Sequence, residues 1–255
     1  MPAHVDRQGA AMDLSRGTRL ARSRPVWVLG QAGLVTLGVF VYFRVRGLTE
    51  GAVDVAVAHA HDVVALEQRL GLDIEPAVQA PVEASESTET LANWIYIWGH
   101  WPVIVATMIW LAWRHRNIFL RLRNGMLVSG GIGLVIFASF PVAPPRLADQ
   151  GLVDTVTRSS ESYRVLQPPE FVNQYAAMPS LHSGWDLLIG IAIVTAATTI
   201  PLRVVGLTLP IAMMFAVVAT ANHFVLDVVA GVLIALVGHA VALALERRRV
   251  AEDAP

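Results

Sequence analysis

Two histidines in this 255-residue chain are each followed, four residues on, by an aspartate: His182 by Asp186, and His223 by Asp227. On a helix, residues at that spacing are neighbours. A carboxylate that accepts a hydrogen bond from one imidazole nitrogen fixes the tautomer and leaves the other nitrogen to act as nucleophile or base. Each pair stands at the start of a long apolar stretch. An ionisable group inside such a stretch is costly and marks a functional site by default. The same spacing also suits a structural pair that ties two helices together. Asp186 has a second option, a partner on another helix.

The residues around the two histidines extend the chemistry. His182 lies in Met178-Pro-Ser-Leu-His-Ser183, where Pro179 precedes a helix and Ser180 is a natural N-cap. Backbone N–H groups at such a start bind anions, phosphate included, and a histidine there could protonate a leaving oxygen. Arg146, in Pro144-Pro145-Arg146, could clamp a phosphate through two hydrogen bonds. Arg158 and Arg164 in the same loop are weaker candidates for that role, and Asn222 adjoins His223. For His182 and the arginines, contact with lipid headgroups is the plainer alternative. A zinc site from His182, His223 and Asp227 is chemically possible, but the motif context favours phosphate.

The elements that position these residues are hydrophobic. The chain is 55% hydrophobic and 15% charged, against about 25% charged in soluble domains. A net charge of −1 gives no bulk attraction to nucleic acid, and the absence of cysteine excludes disulfides and thiolate metal sites. Roughly 20 apolar residues span a bilayer. Six stretches are read as spans: Val26–Phe43, Leu91–Trp113, Asn124–Phe140, Ser180–Ile200, Val204–Ala221 and Phe224–Leu245. A cleaved signal peptide fits poorly, because the polar lead is long and the first apolar run can itself span.

All 19 basic residues are arginine. With six spans, most of those in the tails and short loops fall on one side, which becomes cytoplasmic; Arg44 and Arg46 are misfits that could snorkel. Both termini are then cytoplasmic, in a multi-pass protein of the plasma membrane, with His182, His223 and Arg146 at the outer face. The expected architecture is an all-α polytopic bundle with an outer amphipathic helix and a long outer loop. It divides into a mobile N-terminus (1–24), one membrane domain (25–246) and a tail (247–255).

The outer helix is read as Val53–Leu72, with an apolar stripe of Val53, Val57, Ala60, Val64 and Leu70 and a stop at Gly71. Glu75–Thr90 is acidic, contains Pro76 and Pro81, and is read as a loop. Pro141–Pro179 is the longest non-helical stretch, and loops of that length are uncommon unless functional or disordered. His59 and His61 are read as solvated. His100 and His239 are read as packed polar groups inside helices. The tryptophans of the second span read as interfacial belts.

Taken together, Ala143-Pro-Pro-Arg146, Met178-Pro-Ser-Leu-His182 and Asn222-His-Phe-Val-Leu-Asp227-Val-Val-Ala-Gly231 resemble the type 2 phosphatidic acid phosphatase superfamily, specifically its inositol-phosphorylceramide-synthase-like branch. The resemblance covers roughly Leu91–Leu245. It implies phosphoryl transfer without metal or cofactor. His223 would attack phosphorus and form a phosphohistidine, Asp227 would orient it, and His182 would serve as acid and then base. Arg146 and Ser180 would hold phosphate oxygens. The partners implied are a lipid phosphate or phospholipid substrate, membrane lipids, and an acceptor that is water or an alcohol such as inositol. The wider superfamily has a lysine seven residues before its arginine, where this chain has Ser139. It has Ser-Arg where this chain has Ala216 and Val217, and glycine where this chain has Leu181. These departures favour the branch named and leave fewer positive charges around the phosphate, a gap that Arg158 or Arg164 could fill.

Two other readings compete with the enzyme. One is a proton-coupled transporter relaying protons through intramembrane His and Asp. Against it, the ionisable residues lie near one face and no broken helix pair is evident in the sequence. The other is a membrane scaffold without chemistry.

Overall fold

The computed structural model describes residues 24–47, 53–159 and 174–252. The chain divides into two compact units, Met1–Leu37 and Gly38–Pro255. In the first, the described residues belong to helix α1 (Arg24–Gly47), which runs on into the second. The second holds all the remaining elements. Among the described residues the regular elements are all helices, joined by turns and short irregular segments, with one isolated bridge between Val142 and Ala176. Of the expected mobile N-terminus (1–24), residues 1–23 lie outside them, as do the last three residues of the tail, while Arg24 opens α1.

Helix α2 (Val53–Leu70) stops at Gly71, which adopts φ +67 as a helix-terminating glycine does. Its buried face is Ala56, Ala60, Val63 and Glu67, while Val53 and Leu70 are exposed. The expected stripe is therefore rotated, because alanines lie closest to the neighbouring backbone: Ala143 N–H donates to the Ala56 carbonyl at 2.9 Å. His59 is not simply solvated. Its Nδ1 lies 2.8 Å from the Pro141 carbonyl and its ring stacks on Phe140. His61 is exposed.

Glu75–Thr90 is not a loop. It forms α3 (Glu75–Glu83) and the start of α4 (Glu86–Trp98). Pro76 occupies the first turn of α3, where its missing N–H is no loss, and Pro81 stands close to the C-terminal end. The acidic composition then serves helix starts, since Glu75, Glu86 and Glu89 all lie in first turns.

The second apolar stretch is also interrupted. α4 and α5 (Trp101–Arg114) meet at Gly99 and His100 with a bend of 43°. His100 thus sits at a break rather than inside a helix, and a broken helix pair is present after all. α6 (Arg116–Ser139), α9 (Ile200–Ala219) and α10 (Val225–Glu252) are long and apolar enough to cross a membrane, making three candidate spans, or four if the bent pair counts as one. α10 continues as helix through the arginines assigned to a tail. α8 (Leu181–Ala196) is apolar but only 16 residues long. It is the central element: both its faces are buried, and it packs on α5, α6, α9 and α10. Several long apolar helices of this kind are compatible with an integral membrane protein.

Between α6 and α8 the chain is not featureless. It holds a 3-10 turn at Pro145–Leu147 and a short helix α7 (Thr155–Ser159), and the stretch around α7 is stitched to α3 and α4. The Gln79 side chain donates to the Val153 carbonyl and accepts from its N–H, both at 2.9 Å. Asn93 and Thr155 bond to each other twice.

Candidate active site

Two helix starts face each other. α8 begins at Ser180, whose Oγ accepts the Ser183 N–H at 3.4 Å and lies 3.1 Å from the Ser183 hydroxyl. α10 begins after Phe224, and Asp227 reaches back from its third position to accept the Phe224 N–H at 2.9 Å. That is the carboxylate half of a capping box. The two starts are joined directly: Ser180 N–H donates to the Asp227 carbonyl at 2.9 Å. A Cβ on Gly231 would collide with the Ser180 carbonyl oxygen, and one on Gly184 would collide with the Gly231 carbonyl. Only glycine lets these backbones touch.

His223 precedes α10 and is fixed by its own N–H, which donates to the Val217 carbonyl at 3.0 Å. Asn222 N–H donates to the same carbonyl. Ala221, at φ 55, turns the chain between α9 and α10. The His223 Nδ1 lies 3.4 Å from Asp227 Oδ2. That is an ion-pair separation rather than a well-formed hydrogen bond, and the oxygen is shared with the Phe224 cap. It nonetheless orients the ring so that Nε2 faces away from Asp227.

His182 packs beside His223, with ring centroids 5.9 Å apart. On its other sides it stacks on Tyr96 at 4.8 Å and tilts against His100 at 4.2 Å. Asp186 does not orient His182. Its Oδ1 lies 2.8 Å from Nδ1 of His100, in a pair that is almost wholly buried. The option of a partner on another helix is the one realised.

Arg146 reaches the same region. Its Nη1 donates to Asn222 Oδ1 at 2.6 Å, and its Nε lies 3.1 Å from Asp154 Oδ2. Its backbone N–H donates to the Ala221 carbonyl at 3.2 Å. Asn222 is held in turn by Thr220, at 2.8 Å from its hydroxyl. Arg158 does not fill the missing positive charge. It is half-exposed and its guanidinium is engaged by Glu83 at 3.1 Å and Glu89 at 2.7 Å. Arg164 lies outside the described residues. Among the described residues, no group of three His, Asp or Glu side chains is arranged to hold a metal ion.

The structure therefore brings together His182, His223, Asp227, Ser180, Asn222 and Arg146. It adds His100, Tyr96 and Asp154, for which the sequence offered no spacing signal. His100 alone could have been suspected, as a histidine following glycine in the middle of an apolar run.

The described residues thus combine long apolar helices, two adjacent histidine rings, a helix-capping aspartate and a guanidinium tied to the neighbouring turn. The family model described as PAP2 superfamily matches residues 61–241, and the chain belongs to that superfamily. Its members are phosphatases or phosphotransferases, which supports a phosphoric-ester hydrolase in general terms. No curated protein and no solved structure matches the chain.

Proposed function

We propose that the protein is a membrane lipid-phosphate phosphatase or phosphotransferase of the inositol-phosphorylceramide-synthase-like kind. It works through a phosphohistidine on His223, in a six-span bundle with the site at the outer membrane face. The observation that carries the reading is the 5.9 Å separation of the His223 and His182 rings, with Arg146 bonded to the residue beside His223.

Asp227 faces Nδ1 of His223, so that nitrogen keeps the proton and Nε2 carries the lone pair. Nε2 attacks phosphorus; the bond from phosphorus to the leaving alcohol oxygen breaks, and its electron pair goes to that oxygen. Protonated His182 gives the oxygen its proton. Neutral His182 then takes a proton from water or an acceptor alcohol, whose oxygen attacks phosphorus. The N–P bond breaks and its electrons return to His223. Arg146 and the start of α8 neutralise the phosphate oxygens, where most of the barrier is lowered.

The broken helix pair at His100 supplies a feature that a proton-coupled transporter would use. One set of assays separates the readings. Purified protein is given a panel of lipid phosphates, with and without alcohol acceptors, in chelator. The enzyme releases phosphate or forms the new phosphodiester, an acid-labile phosphoprotein can be trapped, and His223→Ala abolishes all three. Retained turnover in His223→Ala would rule out His223 as nucleophile, and activity lost in chelator would point to a metal.

A further inference from the structure

The buried face of α2 ends on a carboxyl group. Glu67 is 1% exposed, and Glu75, the first residue of α3, is 3% exposed. Neither belongs to any motif, and both reach the start of α10. Glu67 Oε1 accepts the Leu226 N–H at 2.8 Å and Glu75 Oε1 accepts the Val225 N–H at 2.9 Å. With Asp227 on Phe224, three carboxyl groups from three elements satisfy three consecutive N–H donors. These donors open the helix whose first turn holds Asp227 against His223.

A helix start needs acceptors for its unpaired donors, but its dipole amounts to only about half a positive charge. Three ionised carboxylates there would be far in excess. The charged groups that act on Glu67 are Glu75 and Asp227, both acidic. His223, just before α10, faces Asp227 rather than Glu67 or Glu75. The adjoining cluster of Ala56, Ala60, Val63 and Phe224 is apolar. Among the described residues these neighbours supply no compensating base, so the pair keeps a proton.

We propose that Glu67 and Glu75 are positioning residues for His223: sharing one proton, they fasten the first turn of α10 and with it the His223–Asp227 pair. The inference rests on His223 being the reacting group. Burial is the main force that pushes the Glu67 carboxyl up to about 8, opposed by the Leu226 N–H and reinforced by Glu75. When the proton leaves, two adjacent buried carboxylates repel each other and the turn loosens.

The sign of the pH dependence follows. The folded protein holds a proton that the unfolded chain releases near 4.5, so the stability from this pair is complete below that pH. It declines as pH rises towards about 8. Turnover instead falls where the folded protein itself loses the proton, near and above 8.

The test uses the full-length protein in detergent micelles, with a short-chain phosphatidic acid as substrate. Thermal unfolding is followed from pH 5 to 9 beside the pH–rate profile. Glu67→Gln keeps an oxygen for the Leu226 N–H and offers Glu75 an N–H that does not titrate. It should flatten the fall in melting temperature and extend turnover to higher pH. Glu67→Ala should lower kcat roughly tenfold or more with KM little changed, as misplacement of a reacting group does. If Glu67→Gln and the unmodified protein share the same melting profile, no proton is shared and the proposal is overturned, whatever the activity. If the melting profiles differ but the alkaline limbs of turnover coincide, the pair does not position His223. Should the unmodified protein cleave no phosphate ester at all, the functional reading fails, while the melting profiles still decide whether the proton is shared.

Discussion

The two His-x-x-x-Asp segments share a spacing and end in different arrangements. At the start of α10, Asp227 stays within its own segment, capping Phe224 and facing His223. At the start of α8, Asp186 leaves its own histidine and pairs with His100, 86 residues away in sequence. The cause is depth. Asp227 is the third residue of its helix, where a carboxylate can turn back to the open N–H groups. Asp186 is the sixth residue of α8, too far in to reach them, and it faces the break between α4 and α5. His182 is left against Tyr96, His100 and His223. The spacing thus predicts neighbours but not partners. One histidine faces the carboxylate of its own segment, as the proposed nucleophile would need; the other packs against three aromatic rings while the carboxylate of its segment serves His100.

This contrast breaks down or sharpens under substitution. The largest effect should come from Asp227→Asn, which removes the acceptor opposite His223. By comparison with the orienting aspartate of serine proteases, turnover should fall on the order of 10³- to 10⁴-fold, in a phosphate-release assay. Asp186→Ala is the mirror experiment. It strands His100 in a buried site, and breaking such a pair costs about 3–5 kcal/mol. It should lower the melting temperature markedly, and in the protein that remains folded it should reduce turnover far less than Asp227→Asn. Equal losses of turnover in the two variants would mean that the two pairs do the same job. Ser180→Ala removes a neutral cap worth about 1 kcal/mol, visible as a modest loss of thermal stability. Arg158→Ala breaks half-exposed ion pairs to Glu83 and Glu89, which are worth little. Neither phosphate release nor melting should change.

Much of the site was legible because its signals are local. Pro179 and Ser180 announce the start of α8, Gly71 ends α2, and the three motifs in order identify the superfamily. What was not legible depends on contacts distant in sequence. Nothing near Asp186 points to His100, and Arg158 resembles a phosphate ligand until Glu83 and Glu89 fold over it. Glu75–Thr90 was misread for a different reason: prolines and acidic residues signal a loop on average, yet both are favourable in the first turn of a helix. The orientation of α2 failed because its buried stripe follows the small residues that allow close backbone approach rather than the most hydrophobic ones.

The contact of Gly184 and Gly231 with their neighbours' backbone sets a gauge. The starts of α8 and α10 meet main chain to main chain, through the Ser180 N–H on the Asp227 carbonyl and the close approach at Gly231. The segment beyond Arg146, residues 147–159, and the helices that hold it can therefore be rebuilt while the interval between the two helix starts is inherited intact.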